Sequence, residues 1–331
     1  MKIFRLKERR FEHLYASGKT MEELQNYFLG KDIAEIESIG EAVVDDDEYY
    51  AVIYNDTPLL TRPFLASLAE ECESIGLFYR LGDGFIRRNG ANFPLKPCDH
   101  PLAFQVKKHT DIVKVGEHIR WHVLDRHLKN DITIYDPTTT FIDLEVEIAE
   151  GAQIYPMVLL RGKTKIGKNA IVFPNCELVD TEVGENVDIR ASFAIGAKIG
   201  KNTTVGPFAC LRKGANVGAY CRVGDFVEVK NSNLGDGVKM AHLAYVGDAD
   251  VGENTNVGCG TVFANYNGKT KNRCTVGSNV FIGANTNLVA PVTVHNGAYI
   301  AAGSTITQDV PAGNLCIARS RQVFKENWER K

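Results

Sequence analysis

The sequence predicts a mainly β fold: a parallel β-helix built from hexapeptide repeats and preceded by a small N-terminal α/β domain. The main observation is an aliphatic residue at almost every sixth position in the second half of the chain. Glycine often follows that residue, and a small residue often lies four places further on. A period of six matches neither a helix nor an alternating strand, whereas short strands joined by tight corners, three to a coil, explain it.

The repeat runs from Ile142 to Ile306. Its aliphatic positions include Ile142, Ile148, Ile154, Leu160, Ile166, Val172, Leu178, Val205, Leu211, Val217, Val223, Val229, Val276, Ile282, Leu288, Val294, Ile300 and Ile306. Some steps shorten to five residues, as from Val246 to Val251, and the largest break expels the polar segment 264–275. Each coil of a solenoid contacts mainly its neighbours, so function is expected where the repeat is interrupted. The alternative for 264–275 is a tolerated surface insertion.

The first 130 residues lack the repeat. Residues 11–29 are expected to be helical, and an apolar strand at 48–56 is followed by a helix at 62–75. This strand–turn–helix order indicates a small α/β unit. A second amphipathic helix at 111–130 leads into the solenoid. We therefore predict three parts: an α/β domain at 1–130, a β-helix domain at 131–308 and a polar tail at 309–331.

Composition excludes several function classes. The net charge of −3 over 331 residues gives no reason to expect a nucleic-acid or membrane partner. The N-terminus has no apolar core of the kind that a secretory signal needs. The eight cysteines are scattered without a CxxC pair, which is typical of reduced residues in a cytoplasmic protein. No metal site is predicted within the solenoid.

Stacking of the coils brings two cations together. Arg212 follows Leu211 and Lys230 follows Val229, three hexads later. Equivalent residues of neighbouring coils lie about 4.8 Å apart. Like charges at that distance repel one another unless an anion lies beside them. A phosphate site is the specific interpretation, because Arg can bind it with two hydrogen bonds and Lys adds a point charge. A solvated charged face is the alternative.

A second column contains a histidine. Asp225, His242 and Cys259 occupy the third position of equivalent hexads on three successive coils, and Glu228 and Tyr245 share the sixth position on the first two of these coils. Acidic neighbours orient an imidazole and favour its use as a general base. We therefore assign His242, Glu228 and Asp225 as catalytic candidates. The alternative is a solvated surface histidine.

At these positions the sequence resembles a known family. The segments LRKG (211–214), GDFVEVKNS (224–232), KMAHLAYVGDA (239–249), NVGCGT (256–261), NYNGKTK (265–271) and LVAPV (288–292) occur in order. They resemble the acetyltransferase half of the bifunctional N-acetylglucosamine-1-phosphate uridyltransferase/glucosamine-1-phosphate acetyltransferase family, over about 136–328.

The resemblance implies a left-handed parallel β-helix and a homotrimer with active sites between neighbouring chains. It implies acetyl-CoA as the donor and the small molecule glucosamine 1-phosphate as the acceptor, in cytoplasmic synthesis of UDP-N-acetylglucosamine for the cell wall. His242 matches the general base. The residues matching the acceptor site are Arg212, Lys230, Tyr245, Asn256, Asn265, Tyr266 and Lys271. Those matching acetyl-CoA positions are Cys259, Ala284, Ala302 and Arg319. Direct transfer is expected, because holding both substrates in register supplies much of the acceleration.

The sequence departs from the family at three site positions. Cys259 replaces a usual Ala beside His242, so it is either an acyl-accepting nucleophile or a small residue whose backbone contacts the donor. We expect the second. Asp225 replaces a usual Asn, and the added carboxylate is expected to strengthen His242 as a base. Ala284 replaces a usual Ser, which leaves one donor contact open.

The front part resembles a shortened form of the family's uridyltransferase half. The segment VIYNDTPLLT (52–61) places Asp56 at a metal-binding position, but Lys107 stands where the family has a second metal ligand, and no Gly-rich phosphate loop occurs in 1–55. Mg²⁺ is expected only if a vestigial site at Asp56 survives, and uridyltransferase activity is expected to be lost. Alternatives for the whole chain are N-acetylation of another amino-sugar phosphate or nucleotide sugar, and a non-catalytic trimeric scaffold.

Overall fold

A computed structural model describes residues 1–7, 15–16, 19–326 and 328 of the chain. It divides the protein into two compact units, Met1–His122 and Val123–Lys331. No helix among these residues has the length and apolar character needed to cross a membrane.

The first unit contains a six-stranded sheet in the order β4-β1-β5-β7-β6-β8. β1 pairs in parallel with β4 and β5, and β7 is antiparallel to β5 and β6. The unit's strands and helices, with the helix that follows, are β1 (Lys2–Leu6), β2 (Tyr15–Ala16), β3 (Lys19–Thr20), α1 (Met21–Leu29), β4 (Ala34–Ile36), β5 (Tyr49–Ile53), α2 (Arg62–Ile75), β6 (Phe78–Leu81), β7 (Gly84–Arg88), β8 (Leu95–Pro97) and α3 (Ile112–Leu128). Short 3₁₀ turns lie at Ile39–Glu41, Pro101–Ala103 and His109–Asp111. The predicted small α/β domain is confirmed.

The first helix is shorter than predicted. Thr20 caps it, because its side chain accepts a hydrogen bond from the Glu23 N–H while the Glu23 carboxylate accepts one from the Thr20 N–H. Thr20 is also the last residue of β3, which pairs antiparallel with β2. The prediction of a helix over 11–29 is therefore wrong at residues 15–16 and 19–20, and its residues 11–14 and 17–18 lie outside the described part of the chain.

The other two predicted helices are confirmed. α2 spans Arg62–Ile75, with Thr61 as its N-cap and Pro63 in the first turn, where the missing N–H costs nothing. α3 buries Val115 and Ile119. Near its C-terminal end, Arg126 donates hydrogen bonds of 3.1 and 3.2 Å to carbonyls of the first solenoid coil.

The second unit is a parallel β-solenoid. Its short strands pair in parallel with the equivalent strands of neighbouring coils and form one sheet of nineteen strands and one of nine. The strands are β9 (Thr133–Ile134), β10 (Phe141–Ile142), β11 (Glu147–Ile148), β12 (Gln153–Ile154), β13 (Leu159–Arg161), β14 (Lys165–Ile166), β15 (Ile171–Val172), β16 (Glu177–Val179), β17 (Glu182–Val183), β18 (Asp188–Ile189), β19 (Phe193–Ile195), β20 (Lys198–Ile199), β21 (Thr204–Val205), β22 (Cys210–Leu211), β23 (Ala215–Val217), β24 (Arg222–Lys230), β25 (Ser232–Leu234), β26 (Lys239–Gly247), β27 (Ala249–Val251), β28 (Asn256–Val257), β29 (Val262–Ala264), β30 (Cys274–Val276), β31 (Phe281–Ile282), β32 (Asn287–Val289), β33 (Val292–Val294), β34 (Tyr299–Ile300), β35 (Thr305–Ile306) and β36 (Leu315–Cys316).

The aliphatic residues of the repeat form the core of the solenoid. Ile142, Leu160 and Leu178 are buried and lie in register on three successive coils. Small polar residues close the corners, as where the Thr164 hydroxyl donates 2.7 Å to the Arg161 carbonyl. The predicted fold class, a parallel β-helix of hexapeptide repeats, is confirmed. Strand pairing also extends beyond residue 308, where we placed the tail, because β36 pairs with β34.

Candidate active site on two long strands

The two longest strands of the solenoid carry the centre of the predicted site. β24 and β26 each contain nine residues, whereas most strands of the solenoid contain two or three. Their parallel register places Asp225 opposite His242 and Glu228 opposite Tyr245. This is the alignment that the repeat spacing predicted. Each strand continues through a residue with a positive φ, Phe226 at 55° and Leu243 at 35°, which bends it directly after Asp225 and His242.

His242 and Asp225 form a hydrogen-bonded pair. His242 Nδ1 lies 2.7 Å from Asp225 Oδ1, and the two side chains are 56% and 38% exposed. The hydrogen bond with His242 lowers the pKa of Asp225. An ionised carboxylate only accepts hydrogen bonds, so Nδ1 is the protonated nitrogen of the neutral ring. The other nitrogen, Nε2, then keeps its lone pair, which is the arrangement of a general base.

A cluster of cations lies on the neighbouring coils. Arg212 donates a 2.8 Å hydrogen bond to Glu228, which raises the pKa of Arg212. Lys230 lies one coil further on, since the Arg212 backbone N–H donates to the Val229 carbonyl. The side chain of Lys271 lies close to Lys230, and the proximity of the Lys230 ammonium group lowers the pKa of Lys271. Two adjacent ammonium groups of this kind are a suitable binding surface for a doubly charged anion.

The polar loop 264–275, between β29 and β30, lies beside the cation cluster. Tyr266 and Lys271 form an antiparallel bridge, and the Asn272 N–H donates 2.7 Å to the Asn265 carbonyl. Asn265 is only 6% exposed, and its Nδ2 lies 3.5 Å from the Tyr245 hydroxyl. The segment predicted as either a functional loop or a surface insertion thus presents Lys271 beside Lys230.

Three further residues, Asp248, Asn231 and Gly247, shape the site and were not predicted from the sequence. Asp248 accepts hydrogen bonds from Asn231 and Asn265 at 2.6 and 2.5 Å. At Gly247, a Cβ atom would lie 2.4 Å from the Tyr245 hydroxyl and 2.8 Å from Asn265 Nδ2. A larger residue would therefore displace both side chains. The available signal was the shortened step from Val246 to Val251, which marks a tighter corner at this point.

The predicted donor residues lie further along the solenoid. β28, β31 and β34 pair in parallel, so Cys259, Ala284 and Ala302, each two residues after one of these strands, lie on three successive coils. Cys259 is exposed. Arg319 approaches the same column, since its Cδ lies 3.6 Å from the position of a Cβ at Gly303. Asn256 lies away from the His242–Asp225 pair, opposite Lys239 on the neighbouring strand.

Asp225 is expected to act by orienting the imidazole. Replacing it with Ala should lower kcat/KM about tenfold, because His242 loses the acceptor that fixes its tautomer. Replacing it with Asn should retain most activity, because the amide oxygen still accepts from Nδ1. Since the pKa of Asp225 is lowered, the wild-type contact should persist at neutral pH and weaken only as pH falls through that lowered value. Steady-state kinetics of both variants across pH check this, and equal losses in Ala and Asn would contradict it.

Comparison with known proteins identifies relatives. Residues 273–308 match the model of the family described as bacterial transferase hexapeptide (six repeats). The chain is 43% identical over 245 residues to the bifunctional protein GlmU of Clostridium beijerinckii, covering 74% of this chain and 54% of the relative. It is 48% identical over 226 residues to GlmU of Clostridioides difficile, covering 68% and 49%. The chain thus spans about half the length of the curated relatives it matches, and the predicted resemblance is confirmed.

A likeness to solved structures is more distant. The UDP-N-acetylglucosamine acyltransferase of Francisella novicida matches with a TM-score of 0.37 and 16% identity, covering 56% of this chain and 67% of that chain.

Proposed function

Since the chain is a relative of the bifunctional GlmU proteins over 74% of its length, we propose that it is an acetyl-CoA-dependent N-acetyltransferase acting on glucosamine 1-phosphate. The observation that carries the proposal is the His242–Asp225 pair, at 2.7 Å, on the two long strands, of which β24 also carries Lys230 of the cation cluster. A base next to an anion-binding surface suits a substrate that has both an amine and a phosphate.

The reaction we propose is direct transfer. The neutral amine of the acceptor attacks the thioester carbonyl carbon, and His242 Nε2 takes a proton from the nitrogen as the N–C bond forms. The C–S bond then breaks, and the thiolate of coenzyme A leaves and is protonated by His242. An exposed base next to a bound amine needs no acyl-enzyme, because positioning both substrates supplies the acceleration. Cys259 is assigned to a donor contact and not to a covalent step.

The acceptor phosphate is assigned to the cation cluster. Lys230 and Lys271 repel one another until an anion lies between them, and binding a dianion relieves this repulsion. Arg212 supplies a planar guanidinium that can hold two phosphate oxygens. Tyr245, Asn256, Asn265 and Tyr266 are assigned to the sugar and its amine.

Assembly as a homotrimer is part of the proposal. Phe208, Phe226 and Leu243 are 59%, 59% and 58% exposed, and their φ angles of 59°, 55° and 35° are rare for bulky residues. Phe226 directly follows Asp225, and Leu243 directly follows His242. An exposed apolar column beside the base supports packing of another subunit there, with Arg319 and its neighbours contributing to a shared donor site.

The first unit is proposed to lack uridyltransferase activity. Asp56 is 1% exposed, and its Oδ2 accepts a 3.0 Å hydrogen bond from Gln105 Nε2. Lys107 lines the adjacent cavity of about 810 Å³ and offers an ammonium group in place of an oxygen ligand. Mg²⁺ requires oxygen ligands, so these residues do not suit it. We place the enzyme in the cytoplasm, where it would supply N-acetylglucosamine 1-phosphate for UDP-N-acetylglucosamine.

The test is thiol release from acetyl-CoA by the full chain, with glucosamine 1-phosphate, glucosamine, glucosamine 6-phosphate and a nucleotide-linked amino sugar as acceptors. Preference for glucosamine 1-phosphate would support the proposal. Preference for another amino sugar would keep the mechanism and change the substrate. A folded protein that releases no thiol with any acceptor would refute the enzyme and favour the scaffold.

A further inference from the structure

We propose that Asp248 is a positioning residue that holds the Asn265 side-chain amide with its carbonyl oxygen facing the acceptor. Asp248 is 8% exposed and directly follows β26, the strand that carries His242. This inference rests on the proposed acetyltransferase function and assigns to that site a residue that contacts neither substrate.

The hydrogen bonds around Asp248 define the orientation. Its Oδ1 accepts from Asn231 Nδ2 at 2.6 Å, and its Oδ2 accepts from Asn265 Nδ2 at 2.5 Å. A carboxylate offers only acceptors, so each Asn must turn its NH₂ group toward Asp248. The amide of Asn265 cannot rotate by 180° without placing its oxygen against a carboxylate oxygen. Its own carbonyl oxygen therefore points away from Asp248.

The ionised form of Asp248 is maintained at this depth. Burial by itself raises the pKa of Asp248, but the hydrogen bonds from Asn231 and Asn265 and the charges of Lys230 and Lys271 outweigh it and lower the pKa. The carboxylate consequently stays acceptor-only at neutral pH. It also compensates part of the repulsion between the two lysines, since its charge interacts with both.

A side-chain carbonyl oxygen of Asn265 that faces the acceptor has a specific use in amine acetylation. It can accept one N–H of the acceptor's amine, which directs the nitrogen lone pair toward the thioester while His242 receives another proton. A flipped Asn265 would present its NH₂ group, which repels the N–H bonds of a neutral amine. The orientation of one amide thus decides whether the bound acceptor is productively aligned.

The experiment relocates the carboxylate by one coil. Asp248→Asn keeps the shape and the tolerance for the φ of 51° at this position. Its single oxygen can no longer accept from both amides, so the orientation of Asn265 is no longer imposed. In the double variant N231D/D248N, the new carboxylate at 231 accepts from the NH₂ group of residue 248. The oxygen of residue 248 is then free to accept from Asn265, so the original orientation returns. Asp250→Asn is the matched control, because Asp250 bonds Asn233 and Arg273.

We expect D248N to lower kcat about tenfold or more without raising the acceptor KM, because alignment is lost while a negative charge beside the phosphate site is removed. N231D/D248N should recover at least half of the wild-type kcat, and D250N should stay within twofold. Calorimetry of glucosamine 1-phosphate binding to each full-length variant measures affinity independently of turnover.

Two results would overturn the role of Asp248: a D248N kcat within twofold of wild type, or a double variant as slow as D248N despite the same melting temperature as wild type. If D248N alone is unstable, the double variant, which keeps the same groups, decides the question. Absence of transfer by the wild type would instead refute the proposed function itself.

Discussion

Replacing His242 with Ala is expected to lower kcat for acetyl transfer by about 10²–10⁴-fold, because general-base catalysis contributes that much to amine acylation. The ring is 56% exposed and projects from β26, so its removal should leave the solenoid intact. The affinity for glucosamine 1-phosphate, which we assign to the cation cluster, should change little. The measurement is steady-state thiol release under saturating acceptor, together with binding calorimetry.

His295→Ala is the matched control, since His295 is also an exposed solenoid histidine but lies several coils away and is not part of the site. It should keep wild-type kinetics and the same melting temperature. If His242→Ala retains more than a tenth of the wild-type kcat while His295→Ala is unaffected, His242 is not the general base.

The second large effect is expected at the phosphate site. Lys230→Met should raise the acceptor KM about 10- to 100-fold, because a charged hydrogen bond to phosphate is lost while the alkyl stem is kept. Lys271 should then lose the neighbour that lowers its pKa. The fall in affinity should appear in KM with little change in kcat. Kinetics at several phosphate-acceptor concentrations measure both quantities.

Two controls separate phosphate recognition from a general disturbance. Lys269 lies in the polar loop that carries Lys271 but outside the assigned site, so Lys269→Met should leave KM within about twofold of wild type. With glucosamine, which has no phosphate, Lys230→Met and wild type should become equally poor catalysts. A defect that persists with glucosamine would mean that Lys230 supports the fold of the site and not the phosphate.

The column of Asp225 and His242 was predictable because equivalent residues of a parallel solenoid lie in register. A constant repeat length converts sequence spacing directly into spatial neighbours, and the observed pairing of β24 with β26 follows it. The relation of the polar loop to the site was less predictable. The family resemblance placed Lys271 in the acceptor site, but the composition of the loop does not show that Lys271 approaches Lys230, since the path of a loop depends on the bridge that it makes within itself.

The first helix shows the limits of periodicity. Its apolar pattern continues before Met21, but the reciprocal hydrogen bonds of Thr20 and Glu23 make Met21 the first residue of the helix. The S/T-x-x-E signature was present in the sequence, and capping geometry decided between it and the wider pattern.

The sequence by itself determined the solenoid, its buried aliphatic columns and the alignment of Asp225 with His242, because a six-residue period allows one set of neighbours in register. Only the tertiary structure decided how Asp248, Asn231 and Asn265 meet. That network depends on the direction of side chains at a tightened corner and on a loop expelled from the repeat, and neither follows from spacing. Hydrogen-bond orientation is set by what surrounds a buried carboxylate in space.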